Sequence, residues 1–97
     1  MTYPLNGVRV LDLSRVLAGP FAGRMLSDLG ADVVKLEPPQ QDLTRLWGAV
    51  IGNVPGYFHQ QNAGKRDVCI DLSVRDGLAL AKQLAANADI VIENFRP

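Results

Sequence analysis

The sequence predicts an α/β fold of the Rossmann-like type, in which two consecutive βαβ units build a parallel sheet. Two observations predict it. Short apolar segments rich in β-branched residues alternate with longer segments of helical period. The apolar segments are nearly continuous rather than alternating, which is typical of strands buried on both faces. Strand–helix–strand units of this kind connect with a right-handed crossover, so we expect helices to cover both faces.

The first unit spans residues 8–37. Residues 8–13 are predicted to form a strand after the turn signal Asn6-Gly7. Pro20 suits the first turn of a helix, which we expect to run over residues 21–29 and to end at Gly30. The apolar stripe expected to face the sheet comprises Ala22, Met25, Leu26 and Leu29. A second strand over residues 31–37 should end at Pro38-Pro39.

The second unit follows a long connection. Residues 40–66 are predicted to be irregular, and a loop of this length is usually functional or anchored elsewhere. Residues 68–72 are expected to form the third strand and residues 90–92 the fourth. Between them, Ser73 and Asp76 have the spacing of a capping box at a helix start. The stripe expected to face the sheet comprises Val74, Leu78, Ala81, Leu84, Ala85 and Ala88.

Composition narrows the class of protein. The 97 residues suffice for one small domain, and ten acidic residues balance ten basic ones. This balance gives no overall field that would attract nucleic acid or a membrane surface. Cys69 is the only cysteine, which excludes an internal disulfide and fits a reducing compartment. No apolar run approaches the roughly 20 residues that span a bilayer, and the first residues do not resemble a signal peptide. We therefore expect a cytoplasmic protein without nucleic-acid or membrane partners.

Two segments at the predicted carboxyl ends of strands are candidates for binding. Residues 16–23 follow the first strand, and their small side chains would let a ligand approach the free N–H groups of the helix N-terminus. Gly19 and Gly23 do not form the dinucleotide fingerprint G-x-G-x-x-G, and the alternative is that they only permit close packing. Residues 93–96 follow the last strand with polar, aromatic and cationic groups suited to a nucleotide. The sequence stops there, which indicates part of an enzyme.

Several cations outside these segments remain ambiguous. Lys65 and Arg66 could hold phosphates, or could be solvated at the start of a strand. Arg45, near Trp47, could stack on a base or contact a phosphate, or could form an ion pair with Asp42.

The remaining reactive residue types do not predict a catalytic centre. His59 stands beside aromatic residues, where a histidine is more often packed or exposed than catalytic. Cys69 lies within a predicted strand and is expected to be buried. Asp12 and Asp71 have no evident partner in the sequence. We therefore expect neither a catalytic residue nor a metal site in this chain.

Four blocks in one order, residues 7–39, 44–48, 57–72 and 88–97, resemble the N-terminal region of the family III CoA-transferases and α-methylacyl-CoA racemases. The resemblance implies a segment of a longer enzyme with an interlocked homodimeric fold. Residues 1–97 would be a Rossmann-like segment that binds the nucleotide half of CoA. In the transferases an aspartate located beyond this segment carries the acyl group covalently. CoA would be a substrate, exchanged between an acyl-CoA and a carboxylic acid, and no cofactor would be permanently bound.

The resemblance also implies individual CoA contacts, which are Val16, Leu17, Ala18, Ile70, Ser73, Asn94, Phe95 and Arg96. Two positions depart from the family pattern. Pro38 replaces an arginine of several members, and Ser73 replaces a lysine, so the affinity for CoA would depend more on Arg96 and Lys65.

Three functions remain open. The first is the CoA-binding part of a transferase or of a racemase. The second is a nucleotide-binding module without catalysis. The third, a Rossmann dinucleotide domain, is disfavoured by the missing fingerprint. The acyl group is not evident from the sequence, although Leu17 disfavours the oxalate-handling members, which often carry a polar residue there.

Overall fold

The computed structural model describes residues 2–48, 50–51 and 54–97, which form a parallel sheet flanked by helices. The strands are β1 (Arg9–Asp12), β2 (Asp32–Glu37), β3 (Val50–Ile51), β4 (Val54–Pro55), β5 (Arg66–Cys69) and β6 (Ile90–Ile92). The helices are α1 (Ala18–Asp28), α2 (Gly56–Asn62) and α3 (Arg75–Ala86), with a 3₁₀ helix at Leu43–Leu46. Within the described residues, no helix is long and apolar enough to cross a membrane.

The main sheet has the strand order β5-β2-β1-β6, and its three pairings are all parallel. Val10 of β1 lies opposite Val33 of β2 on one side and opposite Ile90 of β6 on the other. The two βαβ units predicted from the sequence, β1–α1–β2 and β5–α3–β6, are therefore confirmed. The chain proceeds outward from β1 to β5 and then returns to place β6 on the other side of β1. In open α/β sheets, ligands bind at such a reversal, beyond the carboxyl ends of the strands.

Alternate residues of the strands supply an apolar layer to each face of the sheet. Val10 and Val33 are buried on one face, against which Leu26 of α1 packs. Leu11 and Leu36 are buried on the other face together with Ala81 of α3. This alternation is the period of two that a strand imposes on its side chains.

Helix α1 differs from the prediction at its start and on its buried face. It begins at Ala18, so Pro20 occupies the third helical position, where a backbone N–H has no partner within the helix. Its buried residues include Gly23, whereas Met25 and Leu29 of the predicted stripe are exposed. The small residues bring the first turns of α1 against the sheet, and of the predicted stripe Leu26 packs against the core. Gly30 ends the helix as predicted, with φ +106° and an N–H donated to Ser27 O at 3.0 Å.

The connection between β2 and β5 was predicted to be irregular, and this is wrong for most of it. It contains the 3₁₀ helix, the antiparallel pair β3–β4 and helix α2, which packs against α1. Helix α2 has seven residues, too few to show a clear helical period in the sequence. Residues 49, 52 and 53 of this connection lie outside the described residues.

Strand β5 and the start of α3 also differ from the prediction. The strand covers Arg66–Cys69 and not residues 68–72. Ser73 does not cap the helix, because Val74 precedes the first helical residue and no side chain caps it. Instead, the Ser73 hydroxyl and N–H donate to the carboxylate of Asp71 at 2.6 and 3.0 Å. Val74 and Leu78 of the predicted stripe remain exposed, since the contact with the sheet is made further along α3.

Candidate functional site

Two adjoining cavities lie at the carboxyl edge of the main sheet, with volumes of about 240 and 120 Å³. They share Leu13, Leu36, Pro38 and Phe95, which come from the ends of β1, β2 and β6. The larger cavity extends to Gln40, Asp71, Leu72 and Ser73. The smaller cavity extends to Ser14, Arg15, Lys35, Glu37 and Asp42. Both therefore lie beside the loop that joins β1 to α1, where the strand order predicts a ligand.

Asn94 fixes this loop to the end of β6. Its side-chain amide donates to Arg15 O at 2.8 Å, and its side-chain oxygen accepts the Arg15 N–H at 3.1 Å. The amide group is thus already paired with the backbone of Arg15. Asn94 was predicted to contact CoA. In this structure its side chain instead holds the loop that would contact the ligand.

Lys65 supports the loop and the start of α1 from within the protein. Its Nζ lies 2.6 Å from Asp12 Oδ2, 2.7 Å from Asn62 Oδ1 and 2.9 Å from Pro20 O. Burial lowers the pKa of Lys65, and the hydrogen bond and charge of Asp12 oppose this effect. Three acceptors occupy the three ammonium protons. Both roles considered for Lys65, a phosphate ligand and a solvated residue, are therefore wrong, and Asp12 has the partner that the sequence did not reveal.

A second buried ion pair lies beneath the same loop. Lys35 Nζ is 3.0 Å from Asp42 Oδ2 and donates to Ser14 O at 3.0 Å, and both side chains are almost completely buried. Asp42 also accepts the Thr44 N–H and hydroxyl at 3.0 and 2.8 Å. Burial raises the pKa of Asp42, but the hydrogen bonds from Thr44 and Lys35 and the charge of Lys35 outweigh it, and the net pKa is lowered. Asp42 is therefore ionised at neutral pH.

Arg45 joins two carboxyl groups on neighbouring strands. Its guanidinium donates to Glu37 at 2.6 and 2.8 Å and to Asp67 at 2.8 Å, and it lies 3.9 Å from the centre of the Phe58 ring. The predicted ion pair with Asp42 is wrong, and the predicted nucleotide contact stays a prediction. Arg45 is instead committed to the protein's own carboxyl groups and aromatic ring.

The two carboxyl groups have opposite pKa shifts. Burial raises the pKa of Glu37, but hydrogen bonds from Arg45, Asp67 and the Asp42 N–H, with the charge of Arg45, lower it to about 2. Burial, together with the hydrogen bond and charge of Glu37, raises the pKa of Asp67 to about 7, against the charge of Arg45. Asp67 is thus half protonated near neutral pH while Glu37 stays ionised. Cys69, predicted to be buried, is exposed beside this pair and carries a free thiol.

Unpaired N–H groups lie at the start of α1. Those of Leu17, Ala18 and Gly19 have no acceptor in the part of the chain that the structure describes. Pro20 has no N–H, and the first bond along the helix runs from Phe21 N–H to Leu17 O at 2.8 Å. Such groups carry the positive end of the helix dipole and suit phosphate oxygens.

The glycines at this end of α1 are required by packing. A Cβ atom on Gly19 would overlap the side chain of Ser14, and one on Gly23 would lie 2.7 Å from Asp12 Oδ2. The packing alternative considered for these glycines is therefore correct. It does not exclude binding, because the same close approach brings the free N–H groups to the sheet edge.

The structure brings only some of the predicted site residues together. Ser73 and Phe95 line the larger cavity, and Val16, Leu17 and Ala18 form the nearby loop and helix start. Ile70 is 8% exposed and packs in the core with Leu36 and Ala81, so its side chain does not face the cavities. Arg96 is exposed and makes no hydrogen bond or ion pair with the described residues.

Sequence reasoning did not select several polar residues of the cavities, among them Arg15 and Gln40. A signal was present for Arg15, a cation immediately before the selected segment 16–23, but none was evident for Gln40. His59 is exposed on α2 and lines neither cavity. No group of three or more His, Cys, Asp or Glu residues within the described ranges is placed to hold a metal ion.

A parallel sheet with cavities beyond the carboxyl ends of its strands, at the strand reversal, is an arrangement typical of α/β nucleotide-binding folds. Comparison with known proteins identifies the family. Residues 5–97 match the model of CoA-transferase family III, and the chain belongs to that family.

Relatives cover almost the whole chain. The succinate–glutarate CoA-transferase of Agrobacterium fabrum is 48% identical over 101 residues, which cover 96% of this chain and 25% of that protein. The succinyl-CoA:glutarate CoA-transferase of Mus musculus is 46% identical, with coverage of 97% and 22%. The crystal structure of a CAIB/BAIF family protein from Brucella suis superimposes with a TM-score of 0.92 at 45% identity, over 98% of this chain and 26% of that one. The chain thus spans about a quarter of the length of these relatives.

Proposed function

We propose that residues 1–97 bind the nucleotide half of CoA as the N-terminal part of an enzyme that transfers CoA between an acyl-CoA and a carboxylic acid. The observation that carries this proposal is the position of the Leu17, Ala18 and Gly19 N–H groups. They lie without acceptors among the described residues, and the loop that leads to them lines a cavity of about 120 Å³ together with Phe95.

The phosphates and the adenine of CoA match different sides of this site. The N–H groups at the start of α1 would receive phosphate oxygens, because the helix dipole favours an anion there. Arg15 and Arg96 add positive charge close by. Phe95, which is 51% exposed, offers a ring face to the adenine, and stacking of this kind contributes about 1–3 kcal/mol per base. The bound acyl-CoA would be held through its nucleotide and not through its acyl group.

The chemical step is assigned to residues beyond position 97. The resemblance implies an acyl-carrying aspartate there, and the buried carboxylates of this segment are unsuited to the role. Asp12 and Asp42 each pair with a lysine whose side chain is about 1% exposed, so neither can reach an acyl carbon. The names of the relatives favour a short dicarboxylic acid, such as succinate or glutarate, as the acyl group. They favour a transferase over a racemase or a module without catalysis.

We also propose that the protein is a homodimer of the cytoplasm. Four apolar side chains spaced by four residues along α1 are 44–51% exposed, and they are Leu17, Phe21, Met25 and Leu29. Such a stripe normally packs against another surface. The free thiol of Cys69 fits a reducing compartment.

Calorimetric titration of the chain with CoA tests the proposed function, with NAD and acetate as control ligands. We expect saturable binding of CoA alone. Phe95→Ala should weaken that binding by about tenfold, the loss expected for one stacked base. Leu80→Ala is the matched control, because Leu80 is also about half exposed but lies on α3 beside a different cavity.

Two results would overturn the proposal. The first is tighter binding of NAD than of CoA, which would indicate a dinucleotide domain. The second is an equal loss of CoA affinity in Phe95→Ala and Leu80→Ala, which would place the nucleotide elsewhere.

A further inference from the structure

Val16 has a backbone conformation that valine rarely adopts. Its φ is +76°, in the left-handed region, where a β-branched side chain crowds the backbone. Such a conformation persists only when surrounding contacts impose it, and it is often found at ligand sites. Val16 also lies immediately before the three residues whose N–H groups have no described acceptor. The contacts that hold Val16 therefore determine where those N–H groups point.

The contact to Val16 comes from Asp42, 26 residues further along the chain. Both carboxylate oxygens of Asp42 lie 3.3 Å from the Val16 nitrogen and accept its N–H. The carboxylate is itself held by the Thr44 N–H and hydroxyl, so it cannot rotate freely. The Val16 N–H is consequently directed into the protein.

Lys35 ties the preceding part of the loop to the same carboxylate. Its Nζ contacts Asp42 Oδ2 and donates to Ser14 O, both at 3.0 Å. The Ser14 carbonyl and the Val16 N–H thus bind opposite members of one buried ion pair. The segment between them is fixed at both ends, and the next residues, Leu17 to Gly19, begin α1 with their N–H groups unpaired among the described residues.

We propose that the Lys35–Asp42 pair is a positioning device that holds Val16 in its left-handed conformation and thereby presents the Leu17, Ala18 and Gly19 N–H groups to the phosphates of CoA. The inference rests on the proposed function for the identity of the ligand. Neither residue reacts with the ligand. Asp42 acts through the backbone of Val16, and Lys35 keeps Asp42 ionised and in place.

If the Lys35–Asp42 pair had a purely structural role, its replacement would follow a different chemical rule. If the pair only stabilises the fold, the buried charges matter and the orientation of Val16 does not. If the pair positions the loop, any fixed acceptor facing the Val16 N–H preserves binding, even without charge. Two double variants separate these possibilities, Lys35→Met/Asp42→Asn and Lys35→Met/Asp42→Ala. Both remove the ion pair completely and so avoid leaving one buried charge unpaired. Only the first retains a side-chain oxygen opposite Val16.

Both variants are titrated with CoA at a temperature where their melting curves show them to be folded. The Asn variant should bind CoA within about threefold of the unaltered chain, because a neutral acceptor replaces the carboxylate. The Ala variant should bind about tenfold more weakly, or worse, because Val16 then relaxes and the N–H groups turn away. Equal affinities in the two variants would overturn the proposal.

Hydrogen exchange of the Val16 amide gives a readout that does not depend on the ligand. Exchange should stay slow in the Asn variant and become faster in the Ala variant. If the unaltered chain does not bind CoA, the proposed function fails. The exchange comparison still decides whether Asp42 anchors Val16, and equal exchange rates would overturn that anchor.

A second pair of variants covers the case in which the Ala variant does not fold. Val16→Gly allows the left-handed conformation, whereas Val16→Pro fixes φ near −65° and removes the N–H. With Lys35 and Asp42 intact, we expect the proline variant to bind CoA at least about tenfold more weakly than the glycine variant. Normal binding by Val16→Pro would contradict the proposal.

Discussion

The side-chain amide of Asn94 forms two hydrogen bonds with the backbone of Arg15, at 2.8 and 3.1 Å, across 79 residues of sequence. The end of β6 is thereby fixed to the loop that follows β1. We expect Asn94→Ala to lower the free energy of unfolding by about 1–2 kcal/mol, because two backbone groups of Arg15 lose their partners. Urea denaturation measures this change.

Asn87 provides the control for Asn94. Its side chain donates only within its own helix, to Gln83 O at 2.9 Å, and it is exposed. Asn87→Ala should change stability by about 0.5 kcal/mol or less, as most surface substitutions do. If the two variants lose the same stability, the bridge from Asn94 to Arg15 contributes nothing of its own.

Lys65 is expected to be among the most sensitive charged residues of this chain. Replacement by methionine leaves the Asp12 carboxylate buried without its cation, so Lys65→Met should cost about 3–5 kcal/mol. Lys82→Met is the matched substitution on the exposed surface of α3, and we expect a change of about 0.5 kcal/mol or less. Thermal melting of both variants tests this prediction. Similar melting temperatures would mean that the pairing of Lys65 with Asp12 contributes little to stability.

The features predictable from the sequence are those that depend on local pattern. Continuous apolar segments revealed the four parallel strands, and Gly30 and Pro38 marked ends that the structure confirms. The resemblance carried by four blocks identified the family, which the family model confirms. The strand order was not predictable from these two units, because β5 and β6 belong to one unit and yet lie at opposite edges of the sheet.

The sequence could not reveal contacts that depend on which distant residues meet. Lys65 and Asp12 are separated by 53 positions, and nothing in the sequence around either indicates a buried pair. The capping box at Ser73 was misassigned because Asp71, two residues before it, competes for the serine hydroxyl. The buried face of α1 was misassigned because glycines, and not the larger apolar residues, make the closest approach to the sheet.

Val16 should be a position where glycine stabilises the protein. A left-handed β-branched residue costs about 1–3 kcal/mol, and glycine removes this cost while adding about 0.5–1 kcal/mol of chain entropy to the unfolded state. We therefore expect Val16→Gly to raise the free energy of unfolding by about 1 kcal/mol. Val91→Gly, in an exposed position of β6, should lower it by about the same amount. Chemical denaturation that shows equal losses would contradict the strain assigned to Val16.

The carboxyl pair Glu37–Asp67 predicts how stability depends on pH. The pKa of Asp67 rises from 3.8 to about 7 in the folded protein, so its contribution is present below pH 3.8 and is lost as the pH rises through about 7. The pKa of Glu37 falls from 4.5 to about 2, so its contribution is present above pH 4.5 and is lost as the pH falls through about 2. The pair therefore stabilises the fold most between about pH 4 and 5.

The variant Asp67→Asn isolates the loss of stability that occurs above this pH optimum. The amide can still donate to Glu37 but does not ionise, so the variant should be more stable than the unaltered chain at pH 8. This advantage should disappear as the pH falls to about 4. We expect only about 1 kcal/mol at pH 8, because the Asp67 side chain is 38% exposed and solvent screens its interaction with Glu37. Melting curves from pH 4 to pH 8 measure the difference.

In a Glu37→Gln background the effect of Asp67→Asn should become smaller, since the neighbouring charge that raises the pKa of Asp67 is then absent. With Glu37 intact, a difference that stays constant from pH 4 to pH 8 would show that Asp67 does not hold a proton near neutral pH.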